Sequence, residues 1–147
     1  MILLDTNVVS EPLRPSPASN VIEWIDAQPL ETLYLSAITV AEMRTGVALL
    51  TEGKKKNLLR EHLEQEIFPA FAGRILPFDL ICTQAYADLM AKAKVSGFMI
   101  GSADGYIAAI AVSHRFTVAS RDTKPFSVAG LPVINPWDYT HNALPEP

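Results

Sequence analysis

A chain of 147 residues can bury one substantial hydrophobic core but is too short for two ordinary domains, so a single domain over residues 1–140 with a loose tail at 141–147 is expected. Hydrophobic side chains make up 49% of it and charged ones 19%, a surplus that predicts a buried sheet, an oligomer interface or both. A net charge of −4 and an isoelectric point near 5.3 argue against a protein that holds nucleic acid through a basic surface alone, unless bound cations reverse the local field.

The predicted elements alternate short apolar strands with amphipathic helices. Ile2 to Leu4 is a first strand, and the Pro-punctuated segment from Glu11 to Pro17 reads as a loop or an interrupted helix. Val21, Ile22 and Ile25 then recur at helical spacing, with Trp24 widening the covered face. Thr32 to Leu35 is a second strand, and Ser36 is placed to cap a helix carrying Ile38, Ala41, Val47, Ala48 and Leu49. Gly53 and the run Lys54-Lys55-Lys56 break that helix. Another follows from about Asn57 to Ile67, closed by Pro69. Arg74 to Phe78 is a third strand, and Asp79 caps a helix from Leu80 to about Val95. After a loop at Gly97 to Gly101, Ser102 caps a helix through His114. Phe116 to Ala119 is a fourth strand, and Val133-Ile134 offers a short fifth. The alternation predicts an α/β fold, a parallel sheet of about five strands flanked by helices on both faces.

In such a sheet ligands bind beyond the carboxyl ends of the strands, where loops and helix N-termini converge. Asp5 directly follows the first strand, Glu42 lies early in the helix after the second, Asp104 sits in the first turn after Ser102, and Asp122 follows the fourth strand. Hard divalent cations prefer oxygen ligands, a lone carboxylate holds them weakly, and clustered acids would otherwise repel one another. Singly, each acid has an ordinary explanation: Asp5 and Asp122 as turn formers or caps, Asp104 as a partner of the helix dipole, Glu42 as a surface side chain. Together they predict one acidic edge that binds Mg²⁺ or Mn²⁺.

These residues carry a resemblance. Asp5-Thr6-Asn7 after an apolar strand, Ser36 through Glu42 with Gly46, Ala103-Asp104 leading into Ile107-Ala108-Ala109, and Ser120-Arg121-Asp122 before Phe126 resemble PIN domains, most closely bacterial toxins of the VapC and FitB type. The resemblance spans nearly the whole chain. It implies a PIN-like fold and a metal-dependent endoribonuclease whose metal-binding and catalytic residues are Asp5, Glu42, Asp104 and Asp122, with Mg²⁺ or Mn²⁺ as cofactor. Ser120 matches a position usually held by Ser or Thr beside that site, and Asn7 lies where a supporting polar contact is expected. The implied partners are an RNA substrate, a cognate antitoxin protein through which the complex binds operator DNA, and a second copy in a homodimer, which the apolar surplus also favours.

Other residues attract bland readings. Cys82, the single cysteine, is expected in the core. His62, His114 and His141 lack the paired spacing of a zinc site, and the run Lys54 to Lys56 reads as a solvated helix end. Arg44 and Arg121 neighbour proposed ligands and suit either a phosphate contact or a salt bridge to a nearby acid. Trp24, Phe68, Phe71 and Tyr86 are expected in a core or a dimer interface. No phosphate-cradling glycine loop occurs, so no nucleotide cofactor is expected. Two rivals to the nuclease remain open: a phosphatase or phosphotransferase with Asp5 as nucleophile, for which Asn7 stands where a second Asp is wanted, and a non-catalytic subunit of a repressor complex. No apolar run is long enough to span a bilayer, and Met1-Ile2-Leu3-Leu4-Asp5 lacks the regions of a signal peptide. A cytoplasmic location without membrane contact is therefore expected.

Overall fold

Leu3 and Leu4 set the plan of the molecule: adjacent side chains on one strand, both fully buried, one on each face of the central sheet. The computed structural model describes residues 1–141, so the expected tail beyond His141 lies outside the described residues. Five strands, β1 (Ile2–Leu4), β2 (Leu33–Ser36), β3 (Ile75–Leu76), β4 (Thr117–Ala119) and β5 (Val133–Ile134), form one sheet in the order β3-β2-β1-β4-β5. Every pairing is parallel, as expected for strands that are apolar on both faces and joined by helices.

One face of the sheet presents Leu4, Leu33, Leu35 and Ala119 to α1 (Thr6–Ser10), α2 (Ser19–Asp26) and α3 (Ala37–Ala48), which contribute Val8, Val9, Trp24, Val40, Met43 and Val47. A long helical segment completes that layer. It runs as α4 (Lys54–His62), a π-helical turn at Leu63–Ile67, and α5 (Phe68–Ala70), and it adds Leu63, Phe68 and Phe71 to the core. The opposite face, with Leu3 and Val118, is covered by α6 (Leu80–Val95), α7 (Ser102–His114) and α8 (Lys124–Val128) through Cys82, Leu89, Ala93, Ile107 to Ala111 and Phe126. Gly105 permits the close crossing of α6 and α7, since a Cβ there would meet Tyr86 Cε2 at 3.0 Å.

Several boundaries differ from the sequence expectation, each for a local reason. Ser36 and Asp79 do cap α3 and α6, accepting from Thr39 and Cys82 N–H respectively. Ser102 does not cap α7. Gly101 holds the extended cap conformation and Ser102 is already helical. Lys54 to Lys56 form the first turn of α4, where Lys54 and Lys55 are exposed as expected of a solvated helix end, but Lys56 is buried, with Nζ donating to Glu52 at 2.6 Å and to the Ala48 carbonyl at 3.2 Å. Pro69 sits inside the short α5 and does not close the helix at Ile67. β3 is confined to Ile75 and Leu76 because Pro77, which follows, has no N–H to extend the ladder. Two short helices, α1 and α8, were not anticipated. Among the described residues no helix is long and apolar enough to cross a membrane.

Candidate metal centre

The register of the central strands brings the acids to one edge. Leu4 pairs with Ala119, and Asp5 N–H donates to the Ala119 carbonyl at 2.9 Å, so Asp5 and Ser120 leave the sheet side by side. Asp5 caps α1 and is only 5% exposed. Its Oδ1 accepts from Thr6 N–H at 2.8 Å, and its Oδ2 accepts from Ser120 Oγ at 2.7 Å and Asn7 Nδ2 at 3.3 Å. Burial raises its pKa above the usual carboxylate range, and although the bonds from Ser120 and Thr6 draw it back, the charges of Glu42 and Asp122 add to the rise.

The remaining acids arrive from separate elements. Ser36 fixes the start of α3, which puts Glu42 in the second turn, exposed, where Oε1 accepts from Thr6 Oγ1 at 2.7 Å. Asp104 occupies the first turn of α7 and is half-buried. Its pKa is pushed up to about 6, chiefly by burial and then by the charges of Asp5, Asp122 and Glu42. Asp122 is exposed just past β4, with its N–H donating to Ser120 Oγ at 3.1 Å. Asp5 feels the charges of Glu42 and Asp122, and Asp104 those of all three other acids.

Among the described residues, no three acidic, histidine or cysteine side chains converge closely enough to grip one ion as they stand. The carboxylates lie at the range where charges repel, not at the shorter range where oxygens chelate. Asp5 is held by three hydrogen bonds and Glu42 by one, and Glu42 and Asp122 lie at the surface and make no ion pair with a basic side chain among the described residues. The donor set is all oxygen and unneutralised, which fits a hard divalent cation and no softer metal. Ordinary side-chain rotation brings exposed carboxylates inward when a cation offsets their repulsion.

The surroundings of the acids sort the remaining candidates. Asn7 bridges the cluster, donating to Ser120 Oγ at 3.3 Å while its Oδ1 accepts from Arg121 N–H at 3.2 Å. Arg44 is committed elsewhere: Nε and Nη2 contact the Glu64 carboxylate at 2.7 and 2.9 Å, and the guanidinium lies over Phe68. Arg121 makes no such pair among the described residues. Its guanidinium lies 5.1 Å from the centroid of the Trp137 ring. His62 pairs with Glu66, and His114 rests beside Phe116. Sequence reasoning assigned no role to Thr6, whose hydroxyl holds Glu42 and lies 3.0 Å from Thr39 Oγ1. The signal was its place between Asp5 and Asn7.

Comparison with known proteins points the same way. The PIN domain family model matches residues 2–131. The chain is 60% identical to "VapC ribonuclease Y4jK" of Sinorhizobium fredii over 94% of its length and 99% of the relative's. It is 61% identical to "Toxin FitB" of Neisseria gonorrhoeae over 93% of its length and 99% of that protein's. A solved structure of FitAB bound to an IR36 DNA fragment contains a chain that superposes with a TM-score of 0.93 at 59% identity, covering 97% of this chain and 100% of that one.

Proposed function

The chain belongs to the PIN domain family, and on that premise we propose that it is an endoribonuclease that uses Mg²⁺ or Mn²⁺ to hydrolyse RNA phosphodiester bonds, serving as the toxin of a toxin–antitoxin pair. The observation that carries the reading is the arrival of Asp5, Glu42, Asp104 and Asp122 near one sheet edge, where the charges of the other three add to the effect of burial in raising the Asp104 pKa to about 6. Such mutual repulsion lowers stability and is hard to explain as a structural device. The names of the relatives, a VapC ribonuclease and the FitB toxin, support the same activity.

Asp5, Glu42, Asp104 and Asp122 would hold the metal. When bound, a divalent ion there supplies Lewis acidity and offsets the charge that builds on a phosphodiester under attack. Ser120, Asn7 and the Thr6 amide fix both oxygens of Asp5, so its carboxylate needs no reorganisation to bind. Thr6 does the same for one oxygen of Glu42. The alternative of Asp5 as a covalent nucleophile is disfavoured, because Asn7 stands where such enzymes want a second Asp.

A small antitoxin would cover this site and carry the complex to operator DNA, a reading supported by the DNA-bound FitAB structure. A homodimer is supported by Leu80, Ile81, Val95 and Met99, all of them exposed apolar side chains in α6 or the loop after it. The test of the enzymatic reading uses purified, partner-free protein and labelled RNA. Cleavage is expected with Mn²⁺ or Mg²⁺, is lost in excess chelator, and is absent from an Asp104→Asn protein that still melts cooperatively. Equal activity in the variant, or full activity in chelator, refutes it.

A further inference from the structure

The residue just before Asp122 is not explained by the metal centre. Arg121 is exposed, yet two contacts define its position. Its backbone N–H donates to Asn7 Oδ1 at 3.2 Å, and Asn7 in turn donates to Asp5 Oδ2, so the root of the side chain is tied to the acidic cluster. Its guanidinium lies on the Trp137 indole at 5.1 Å from the ring centroid. Trp137 is itself anchored, since its backbone N–H donates to Asn135 Oδ1 at 3.0 Å, its backbone carbonyl accepts from Asn20 Nδ2, and its side chain packs against the core.

A guanidinium held by an aromatic ring keeps its charge and its N–H donors available, because the ring does not neutralise it. Among the described residues those donors make no hydrogen bond and no ion pair, although acids stand close by. Arg44 offers the contrast: its fork is consumed by Glu64. On a chain of net charge −4, an uncancelled planar cation beside the site is the feature a polyanion needs in order to approach. Lys124 repeats the arrangement more loosely, two residues past Asp122, with Nζ 5.8 Å from the Phe98 ring centroid.

We infer that Arg121, held against the Trp137 ring beside Asp122, binds a backbone phosphate of the RNA substrate. The inference rests on the ribonuclease reading for the identity of the polyanion. Arg121 is a substrate-binding residue here, and Trp137 is a positioning residue that acts through it.

The test compares wild type, Arg121→Ala, Arg121→Lys, Trp137→Leu and Trp137→Phe in Mn²⁺ on a fluorogenic single-stranded RNA. Loss of one charge-assisted contact is expected to raise KM about tenfold in Arg121→Ala with kcat within about threefold, and to lower the salt slope of log KM by about one phosphate contact. Arg121→Lys should recover part of the loss, and Trp137→Phe should outperform Trp137→Leu with Arg121 intact. Trp24 is buried, so a change in tryptophan emission on adding the RNA reports on Trp137, and Arg121→Ala should abolish it. An unchanged KM, or a fall in kcat alone, overturns the inference. So does an Arg121→Ala protein that cleaves RNA normally but binds an acidic protein partner less well. If wild type cleaves no RNA, the ribonuclease reading fails on its own, and the emission titration still decides whether Arg121 binds RNA.

Discussion

Replacing Asp104 by Asn should make the metal-free protein more stable at neutral pH, and the structure sets the size of the effect. A carboxyl whose pKa stands at about 6 against an ordinary 3.8 costs up to about 3 kcal/mol to ionise in the folded state. Asp104 is half-buried, so solvent screening brings the expected figure to on the order of 1–2 kcal/mol. Asn keeps the shape and removes the charge. For a domain of this size that gain is roughly 2–8 °C in Tm. The sign follows from linkage. Well below pH 3.8 Asp104 is protonated in both states and the two proteins should melt together. As pH rises from 3.8 toward about 6 the unfolded chain releases this proton while the folded wild type retains it, so the gap should open across that window and be fully present above about 6. The assay is thermal denaturation in chelator from pH 4 to 7.5, repeated with Mn²⁺. Metal should reverse the order, because only wild type keeps the full ligand set, and saturation at about a hundredfold above Kd adds about 2.7 kcal/mol. A variant less stable than wild type in chelator at pH 7.5, or a gap that is the same at every pH, would show that Asp104 is not in electrostatic conflict and would remove the main support for the metal centre.

Three other changes probe separate parts of the argument. Protons and metal compete for Asp104, so Mn²⁺ affinity measured by calorimetry should weaken progressively as pH falls below about 6 and level off above it; a flat profile between pH 5 and 7 contradicts the assignment. Ser120→Ala removes the 2.7 Å bond to buried Asp5 and the acceptor for Asp122 N–H, and should cost about 1–3 kcal/mol in urea denaturation while weakening Mn²⁺ binding. Gly105→Val should destabilise by about 1–3 kcal/mol, since its Cβ would already stand 3.0 Å from Tyr86 Cε2 at the α6–α7 crossing; a neutral result would mean that the two helices have room to separate.

The parts of the fold that were readable are those in which a local pattern and its tertiary use agree. β1, β2 and β4 are short apolar runs ended by Asp or Ser, and Ser36 and Asp79 cap the helices they precede. α1 has five residues, too few for periodicity to register, and it exists because Asp5 caps it and Val8 and Val9 bury against the sheet. Lys54 and Lys55 are solvated as the run suggests, but nothing local reveals that Lys56 finds the Ala48 carbonyl and Glu52. The four acids were readable from their positions after strands and in early helical turns, a consequence of parallel topology and of the family pattern. Their supports were less so. Thr6 meets Glu42 across 36 residues and Ser120 meets Asp5 across 115, distances over which sequence spacing carries no geometry. The different fates of Arg44 and Arg121 depend likewise on Glu64 and Trp137, which no motif links to them.

The choice of supports explains how an acidic cluster stays available to a cation. Asp5 is bound by a hydroxyl, an amide side chain and a backbone N–H, and Glu42 by a hydroxyl. All of these donors are neutral. A lysine or arginine in their place would cancel the charge that attracts a divalent ion and would have to be displaced before binding. Neutral donors orient the oxygens and leave the charge intact. The cationic side chains near the site follow the same logic, for Arg121 and Lys124 rest on aromatic rings and not on carboxylates. Their attraction to an aromatic face holds them in place without neutralising either them or the acids. Under the proposed function, negative charge for a metal and positive charge for a phosphate would stand side by side, each held by a group that does not cancel it.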